Sequence, residues 1–211
     1  EPIRLTVADL PEPFATQSAR KSPDVVAPPD DATLAVPAGF VVQRFATELP
    51  MARWLAVTPD GRVLVAQSRE ERITWLRDAD GDGVAEERGV FADDANGVDI
   101  PFGMAFEREA FYLGNQDEVR RFPWREGQTR LEGPGERVVA LPGGGYNQHW
   151  TRNVIPAGDG RHLYVSVGSA TNVSPEESPR ATVQRLDLDS GTMSTFATGL
   201  RNPVGLAVHP G

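Results

Sequence analysis

Two pairs of polar side chains in the second half of the chain have the types that bind ligands or move protons. Gln148 and His149 lie in the stretch GGGYNQHWTRNV, and Arg201 and Asn202 lie in GLRNPVGLAVHP. An imidazole titrates near neutral pH and can act as a base, whereas guanidinium and amide groups donate to carbonyl and anionic oxygens. A plain turn needs only glycine, asparagine or proline. Both stretches are therefore candidate sites, although each residue alone also fits a capping or turn role.

A second candidate is the acidic stretch DADGDGVAEE, whose spacing is that of a calcium-binding loop. Its predicted ligands occupy alternate positions from the first to the ninth: Asp78, Asp80, Asp82, Val84 and Glu86. Gly83 falls at the sixth position, where such a loop turns sharply. The twelfth position is Gly89 rather than glutamate, so the bidentate ligand must come from Glu86 or Glu87 or be missing. We predict a structural calcium site; the alternative is an acidic hairpin tip between two outer strands.

The elements that must position these groups are strands. Short runs rich in valine, leucine and aromatic residues are separated by turn signals such as PDG, GDG and DSG, and helical periodicity is hard to find. This pattern is typical of an all-β fold.

One strand-turn-strand pattern recurs along the chain. Its copies start at Trp54, Gly103, Arg152 and Gly205, which are 49, 49 and 53 residues apart. Two more strand candidates follow in each of the first three copies. Four short strands in about 40–50 residues are the mark of a propeller blade. The sequence therefore predicts three blades of a β-propeller and the first strand of a fourth; a β-sandwich with accidental similarity is the alternative.

The repeat assigns the candidate residues to equivalent places. Four residues before the aligned strand positions lie Met51, Ile100, His149 and Asn202. In a propeller this place is the connection that enters the innermost strand, beside the central channel. The second strands end at Gln67, Asn115 and Ser169. We expect these polar groups to converge on one axial mouth, because concave polar sites bind small ligands. Trp150 and Phe102 are interpreted as residues that pack the blades.

The bulk properties restrict the partners. Residues 1–38, rich in proline and polar residues, are predicted to form an extended N-terminal arm, and residues 39–211 a partial propeller domain. A net charge of −9 argues against a nucleic-acid partner. The absence of cysteine excludes disulfides and thiolate chemistry. No apolar run approaches the ~20 residues of a membrane span.

With these residues in view, the sequence resembles the glucose/sorbosone dehydrogenase family. The stretches that carry the resemblance are HWTRNV followed by LYVSVGS, GLRNPVGLAVHP, IPFGMAF and LRDADGDGVAEERGVF. They cover about residues 38–211. The family consists of soluble quinoproteins with a six-bladed propeller that use pyrroloquinoline quinone (PQQ) and calcium. The resemblance implies a periplasmic or secreted enzyme that oxidises an aldose or related aldehyde; its electron acceptor is not identified by the sequence.

The resemblance also implies residue roles. His149 corresponds to the general base that takes the proton from the sugar hydroxyl. Arg201 and Asn202 correspond to a pair that contacts the quinone, and Gln148 and Ser169 are expected to bind the cofactor beside them. The glucose enzymes carry a carboxylate near the base, where this chain has the stretch GSATN. The family's calcium-binding backbone groups and further basic residues follow the fourth blade's first strand, so we expect the chain to be part of a longer protein.

Two other functions fit the same pattern. The first is a non-catalytic propeller that binds a ligand or a protein at the axial mouth. The second is a lactonase-like propeller hydrolase with a divalent metal at the channel, for which Asn115, Asn172 and Asn202 are possible ligands. The basic pair His149 and Arg201 favours the quinone.

Overall fold

The computed structural model describes residues 4, 6–12, 15, 23–27, 29, 31–143, 149–173 and 175–209. Twelve strands lie in this part of the chain: β1 (Ala52–Val57), β2 (Val63–Gln67), β3 (Arg72–Arg77), β4 (Glu87–Ala92), β5 (Met104–Glu107), β6 (Ala110–Gly114), β7 (Glu118–Pro123), β8 (Glu136–Ala140), β9 (Val154–Pro156), β10 (His162–Val167), β11 (Thr182–Asp187) and β12 (Met193–Ala197). Three short 3-10 helices span Val7–Asp9, Ser68–Glu70 and Asp94–Asn96.

The strands form three antiparallel sheets of four, and each sheet is a meander in chain order: β1–β4, β5–β8 and β9–β12. All twelve strand candidates of the first three repeats are present, and the β-propeller architecture is confirmed. The innermost strands of blades two and three lie side by side, with the Gly103 amide donating to the Arg152 carbonyl oxygen at 2.9 Å. Because the strands run antiparallel, the entrances to β1, β5 and β9 and the connections after β2, β6 and β10 all lie at one end.

The segment assigned to a fourth blade differs from the expectation. Residues 202–209 form no strand, since a strand requires a hydrogen-bonded neighbour and no described residue supplies one. The segment is nevertheless tied to blade three. The side-chain amide of Asn153 donates to the Val204 carbonyl oxygen at 2.9 Å, and the backbone N–H of Ser169 donates to the Arg201 carbonyl oxygen at 2.8 Å.

The core lies between the blades, and the alternation of β6 shows why. Phe111 and Leu113 point into the cluster shared with blade one, whereas Ala110 and Tyr112 point into the cluster shared with blade three. All four are buried. A strand with an apolar side chain on each face must be covered on both sides, so blade two is the centre of this packing.

The outward faces of blades one and three, unlike the faces of blade two, carry exposed apolar side chains. Leu55 and Val57 of β1 are 63% exposed, and Phe196 of β12 is 60% exposed. Farther out on blade one, a segment before the propeller supplies cover: Phe45 and Leu49 pack against the buried cluster around Leu76. The described residues before position 39 are exposed. A search of the described residues finds no helix long and apolar enough to cross a membrane.

Candidate functional site

His149 is held at the entrance to β9, in the place that the repeat assigns to it. Only 7% of the residue is exposed. Its Nδ1 lies 3.0 Å from the Ser169 carbonyl oxygen and 2.8 Å from Ser169 Oγ, and its Nε2 lies 3.2 Å from Arg201 Nη1. Arg201 also donates to Asn172 Oδ1 at 2.8 Å. The structure thus brings together three of the predicted site residues, His149, Ser169 and Arg201.

These contacts fix the tautomer of the His149 ring. A carbonyl oxygen only accepts and a guanidinium only donates. Ser169 Oγ gives its own proton to the Thr171 carbonyl oxygen at 2.6 Å, so towards His149 it too is an acceptor. Nδ1 therefore carries the hydrogen, and the lone pair of Nε2 faces the guanidinium of Arg201. Nε2 is therefore the acceptor atom of the ring, and in this structure it faces Arg201.

Arg152 supports the backbone of the same loop from within. Its side chain is fully buried and donates to the His149 carbonyl oxygen at 2.7 Å, the Thr151 carbonyl oxygen at 2.9 Å and the Pro142 carbonyl oxygen at 2.7 Å. Burial, and then the nearby Arg180 cation, lower the pKa of Arg152 to about 10. The residue is charged at neutral pH, and its role is to hold the chain on both sides of the 144–148 stretch.

The polar side chains of Gln67 and Asn115, which we expected to face the axial mouth, form hydrogen bonds within their own blades. Gln67 Nε2 donates to the Pro50 carbonyl oxygen at 3.0 Å, and Asn115 Oδ1 accepts from the Asp99 amide at 3.2 Å. Ser169 differs, because its carbonyl oxygen and Oγ contact the side-chain ring of His149. The side chains of Gln67 and Asn115 thus tie down the connections that enter the innermost strands of their own blades. The reason is that a buried connection must satisfy its backbone groups, and the end of the neighbouring strand is the nearest source of donors and acceptors.

The third copy of this arrangement departs from the first two. Met51 and Ile100 have left-handed backbones, with φ of 55° and 43°. Blades one and two place apolar side chains there on strained backbones, while blade three places an imidazole. The repeat position is therefore structural in two blades and carries a titratable group in the third.

Asn202 lies against the histidine loop. A Cβ atom added at Gly168 would lie 2.5 Å from His149 Cβ and 2.6 Å from Asn202 Oδ1, so only glycine lets these residues meet. The Oδ1 atom of Asn202 is buried and has no hydrogen-bond partner among the described residues. The same holds for Thr151 Oγ1 and Asn153 Oδ1. Orphaned buried polar atoms are rare in folded proteins, and three of them on these segments mark a site for a polar ligand or for water. Gln148, the remaining predicted cofactor contact, lies outside the described residues.

Asn153 is a site residue that the sequence analysis did not identify. Its amide holds the 201–204 segment through Val204 O, and this contact places Arg201 and Asn202 beside blade three. The available signal was the repeat itself, which puts an amide where the other copies have Leu55, Met104 and Leu206.

A cavity of about 560 Å³ lies next to Ser169 and Arg201, the two residues that contact the His149 ring. Ser169, Asn172 and Arg201 line it together with Glu176 and Arg180. Glu176 Oε1 accepts from the Ala170 amide at 2.9 Å, which holds the wall of the cavity in place. The volume is that of a site for a small molecule.

The acidic loop before β4 also gathers its predicted ligands. Carboxylate oxygens of Asp78, Asp80, Asp82 and Glu86 lie within 4.8 Å of one another. The cluster consists of side-chain atoms, so the backbone carbonyl of Val84 is not one of them. Asp78 accepts from the amides of Gly83 at 2.9 Å and Gly81 at 2.6 Å, and these hydrogen bonds, that from Gly83 first, lower the pKa of its carboxyl. Oxygen ligands at this spacing fit a calcium ion.

Three antiparallel four-stranded meanders packed face to face are the blades of a β-propeller. A model of the TrAA12-like family matches residues 34–211, and the chain belongs to that family. A sequence comparison with curated proteins gave no match.

Three solved structures show the same fold. A carbohydrate-active enzyme of family AA12 from Trichoderma reesei is 18% identical with a TM-score of 0.59, over 70% of this chain and 38% of its own. The PQQ domain of a pyranose dehydrogenase from Coprinopsis cinerea is 18% identical with a TM-score of 0.58, over 69% and 36%. A PQQ-bound aldose sugar dehydrogenase from Streptomyces coelicolor is 20% identical with a TM-score of 0.52, over 71% and 48%. The chain thus spans less than half the length of each, and the resemblance inferred from its sequence is confirmed at the level of family and fold.

Proposed function

We propose that the chain is part of a PQQ-dependent dehydrogenase that oxidises an aldose or related sugar outside the cytoplasm. The observation that carries the proposal is the His149–Arg201 contact: Nε2 of a buried imidazole lies 3.2 Å from the guanidinium of Arg201, and Arg201 lines a cavity of small-molecule size. Two structural neighbours share the fold: the PQQ domain of the pyranose dehydrogenase and the PQQ-bound aldose sugar dehydrogenase. Further blades are expected to cover the exposed apolar faces at Leu55 and Phe196.

The residues present fit the cofactor. An orthoquinone that carries carboxylates calls for a fixed cation and for hydrogen-bonding groups at its edge. Arg201 supplies the cation, and the orphaned Oδ1 of Asn202 accepts from a ring N–H or a hydroxyl. Ser169 keeps His149 in place from the opposite side. When bound, PQQ would accept the hydride that leaves the sugar carbon.

His149 is the proposed acceptor of the proton. Its Nε2 would take the proton from the sugar hydroxyl, while Nδ1–H keeps its hydrogen bond to Ser169 O and holds the ring in orientation. For this the guanidinium of Arg201 must leave Nε2, and an anionic cofactor supplies the attraction that moves it. Arg201 thus covers the base in the free protein and binds the cofactor in the loaded one.

The metal-dependent hydrolase is less well supported. It requires asparagine ligands at the axis, and Asn115 is fully buried with its side chain bonded to Gly97 O and the Asp99 amide in its own blade.

The proposed dehydrogenase is tested by adding PQQ and calcium to the complete protein, recording the absorption spectrum, and then adding an aldose. A bound-quinone spectrum that bleaches with sugar is the expected result; no spectral change with either addition would contradict the proposal.

A further inference from the structure

A row of aromatic rings joins the entrances of the three innermost strands. The Trp54 and Phe102 ring centroids are 4.8 Å apart, and Phe102 and Trp150 meet edge to face at 6.0 Å. Trp54 lies in β1, Phe102 just before β5, and Trp150 just before β9 and directly after His149. The row therefore lies at the same mouth of the propeller as the histidine.

Two arginines of blade one stack on the last ring of this row. Arg53 Cζ lies 5.7 Å and Arg69 Cζ 5.3 Å from the Trp150 ring centroid. Both residues are exposed. Such cation–π contacts orient a guanidinium and leave its N–H edge open to an anion.

Neither arginine is neutralised within the described part of the chain. Neither makes a hydrogen bond or an ion pair there, although Glu70 and Glu71 follow Arg69 directly and the chain carries a net charge of −9. Many other arginines are paired with a carboxylate, as Arg108 is with Asp189. Two guanidinium groups without an anionic partner among the described residues thus stack on one aromatic ring, at the mouth that holds the candidate base. Together they can bind an anionic ligand.

Their backbones are fixed before any ligand arrives. Arg53 belongs to β1, and Arg69 lies in the short connection after β2. The preceding Ser68 is fully buried, and its hydroxyl donates to the Pro101 carbonyl oxygen of blade two at 2.6 Å. Anchored groups lose less entropy on binding than mobile ones.

We propose that Arg53, Arg69 and Trp150 form an anion subsite that selects a sugar carrying a charged substituent. The substrate class is an aldose with a carboxylate or a phosphate, such as a uronic acid or a sugar phosphate. The two arginines hold the anionic group by charge-assisted hydrogen bonds, and the sugar hydroxyl extends towards His149. The assignment of the ligand as a substrate rests on the proposed function, whereas the anion subsite stands on its own geometry.

The test measures binding and does not need turnover. Calorimetric titrations of the protein with glucuronate, glucose 6-phosphate and glucose are carried out at low and at high salt. For the wild type we expect the preferred anionic sugar to bind about tenfold more tightly than glucose, and the difference to shrink at high salt. The double variant R53Q/R69Q should lose this preference, while R185Q, which removes an exposed and unpaired arginine from β11, should keep it.

The two anionic sugars distinguish a carboxylate-bearing from a phosphate-bearing substrate. Equal binding of all three sugars to the wild type, or unchanged anion preference in R53Q/R69Q, overturns the proposal. A titration with PQQ is the further control: if R53Q/R69Q weakens PQQ binding tenfold and leaves the sugars unaffected, the arginines serve the cofactor and the substrate assignment is wrong. Failure of quinone-dependent turnover with every aldose would remove the proposed function but would leave the binding results unchanged.

Discussion

The ring of His149 has neighbours that assign each nitrogen a role, and this leads to a prediction for the complete enzyme. Replacing His149 by alanine removes the acceptor at Nε2, and loss of a general base costs about 10²–10⁴-fold in rate. We expect turnover to fall by that order while PQQ still binds. Arg201→Ala should instead weaken PQQ binding itself, because it removes the cation.

His162 provides the matched control. It is a second histidine in blade three, but its Nδ1 lies 2.6 Å from Asp159 Oδ2 at the opposite end of β10. His162→Ala should leave steady-state turnover unchanged. Turnover of His149→Ala within a few-fold of the wild type would exclude His149 from the mechanism.

Arg152 is the second residue with a testable role, and it acts on the backbone. Arg152→Met keeps most of the volume but removes the donors to three carbonyl oxygens in a buried loop. Each unsatisfied buried group costs about 1–3 kcal/mol, so we expect a loss of about 2–5 kcal/mol in the free energy of unfolding. Urea denaturation measures it, with the exposed Arg185→Met as control. A loss below about 1 kcal/mol would show that the loop does not depend on Arg152.

The sequence predicted His149, Arg201 and Asn202 as candidate site residues because alignment of the repeat places them at equivalent positions in successive blades. It could not identify the partners of these residues. The Nδ1 contact to Ser169 and the lining of the cavity depend on how the connections after β10 fold back, and spacing carries no such information. For the same reason Gln67 and Asn115 were expected at the axis, whereas each satisfies the backbone of its own blade.

At the scale of the elements, the loop between β3 and β4 is where a metal should act on stability. Four carboxylates within 4.8 Å of one another repel in the absence of a cation. We expect calcium to raise the melting temperature in scanning calorimetry, and Asp80→Asn to reduce this rise. Asp24→Asn is the control: it removes an exposed carboxylate outside this loop, and calcium should raise the melting temperature of this variant as much as that of the wild type. Equal melting curves with and without calcium would leave the loop as an acidic hairpin tip.

The strands were the most predictable elements, and the fourth blade was the least. Apolar runs bounded by turn signals mark β1 to β12, and each of these strands pairs with a neighbouring strand that the chain itself supplies. The segment GLAV at 205–208 has the same pattern, but a strand exists only when it is paired. Its hydrogen bonds to blade three keep it in place without making it a strand.

At the scale of the whole molecule, the site depends on how closely blades two and three approach. A Cβ atom at Gly103 would lie 2.3 Å from the Val154 nitrogen and 2.6 Å from the Arg152 carbonyl oxygen, both of which are backbone atoms that cannot rotate away. Gly103→Ala must therefore push β5 and β9 apart. The displaced strand is the one that carries His149, Arg152 and Asn153 at its entrance.

We expect Gly103→Ala to lower both stability and ligand binding, because one displacement affects the core between the blades and the axial site. The free energy of unfolding should fall by about 1–3 kcal/mol, the usual cost of overpacking, and PQQ binding by the complete protein should weaken in parallel. For the unfolding measurement on the chain of 211 residues, Gly205→Ala is the matched control, since nothing lies within 4 Å of a Cβ atom there and its backbone is not left-handed. Urea denaturation and a PQQ titration measure the two effects. If Gly103→Ala lost stability but bound PQQ like the wild type, the site would be independent of the blade contact, and the axial location of the ligand would have to be abandoned.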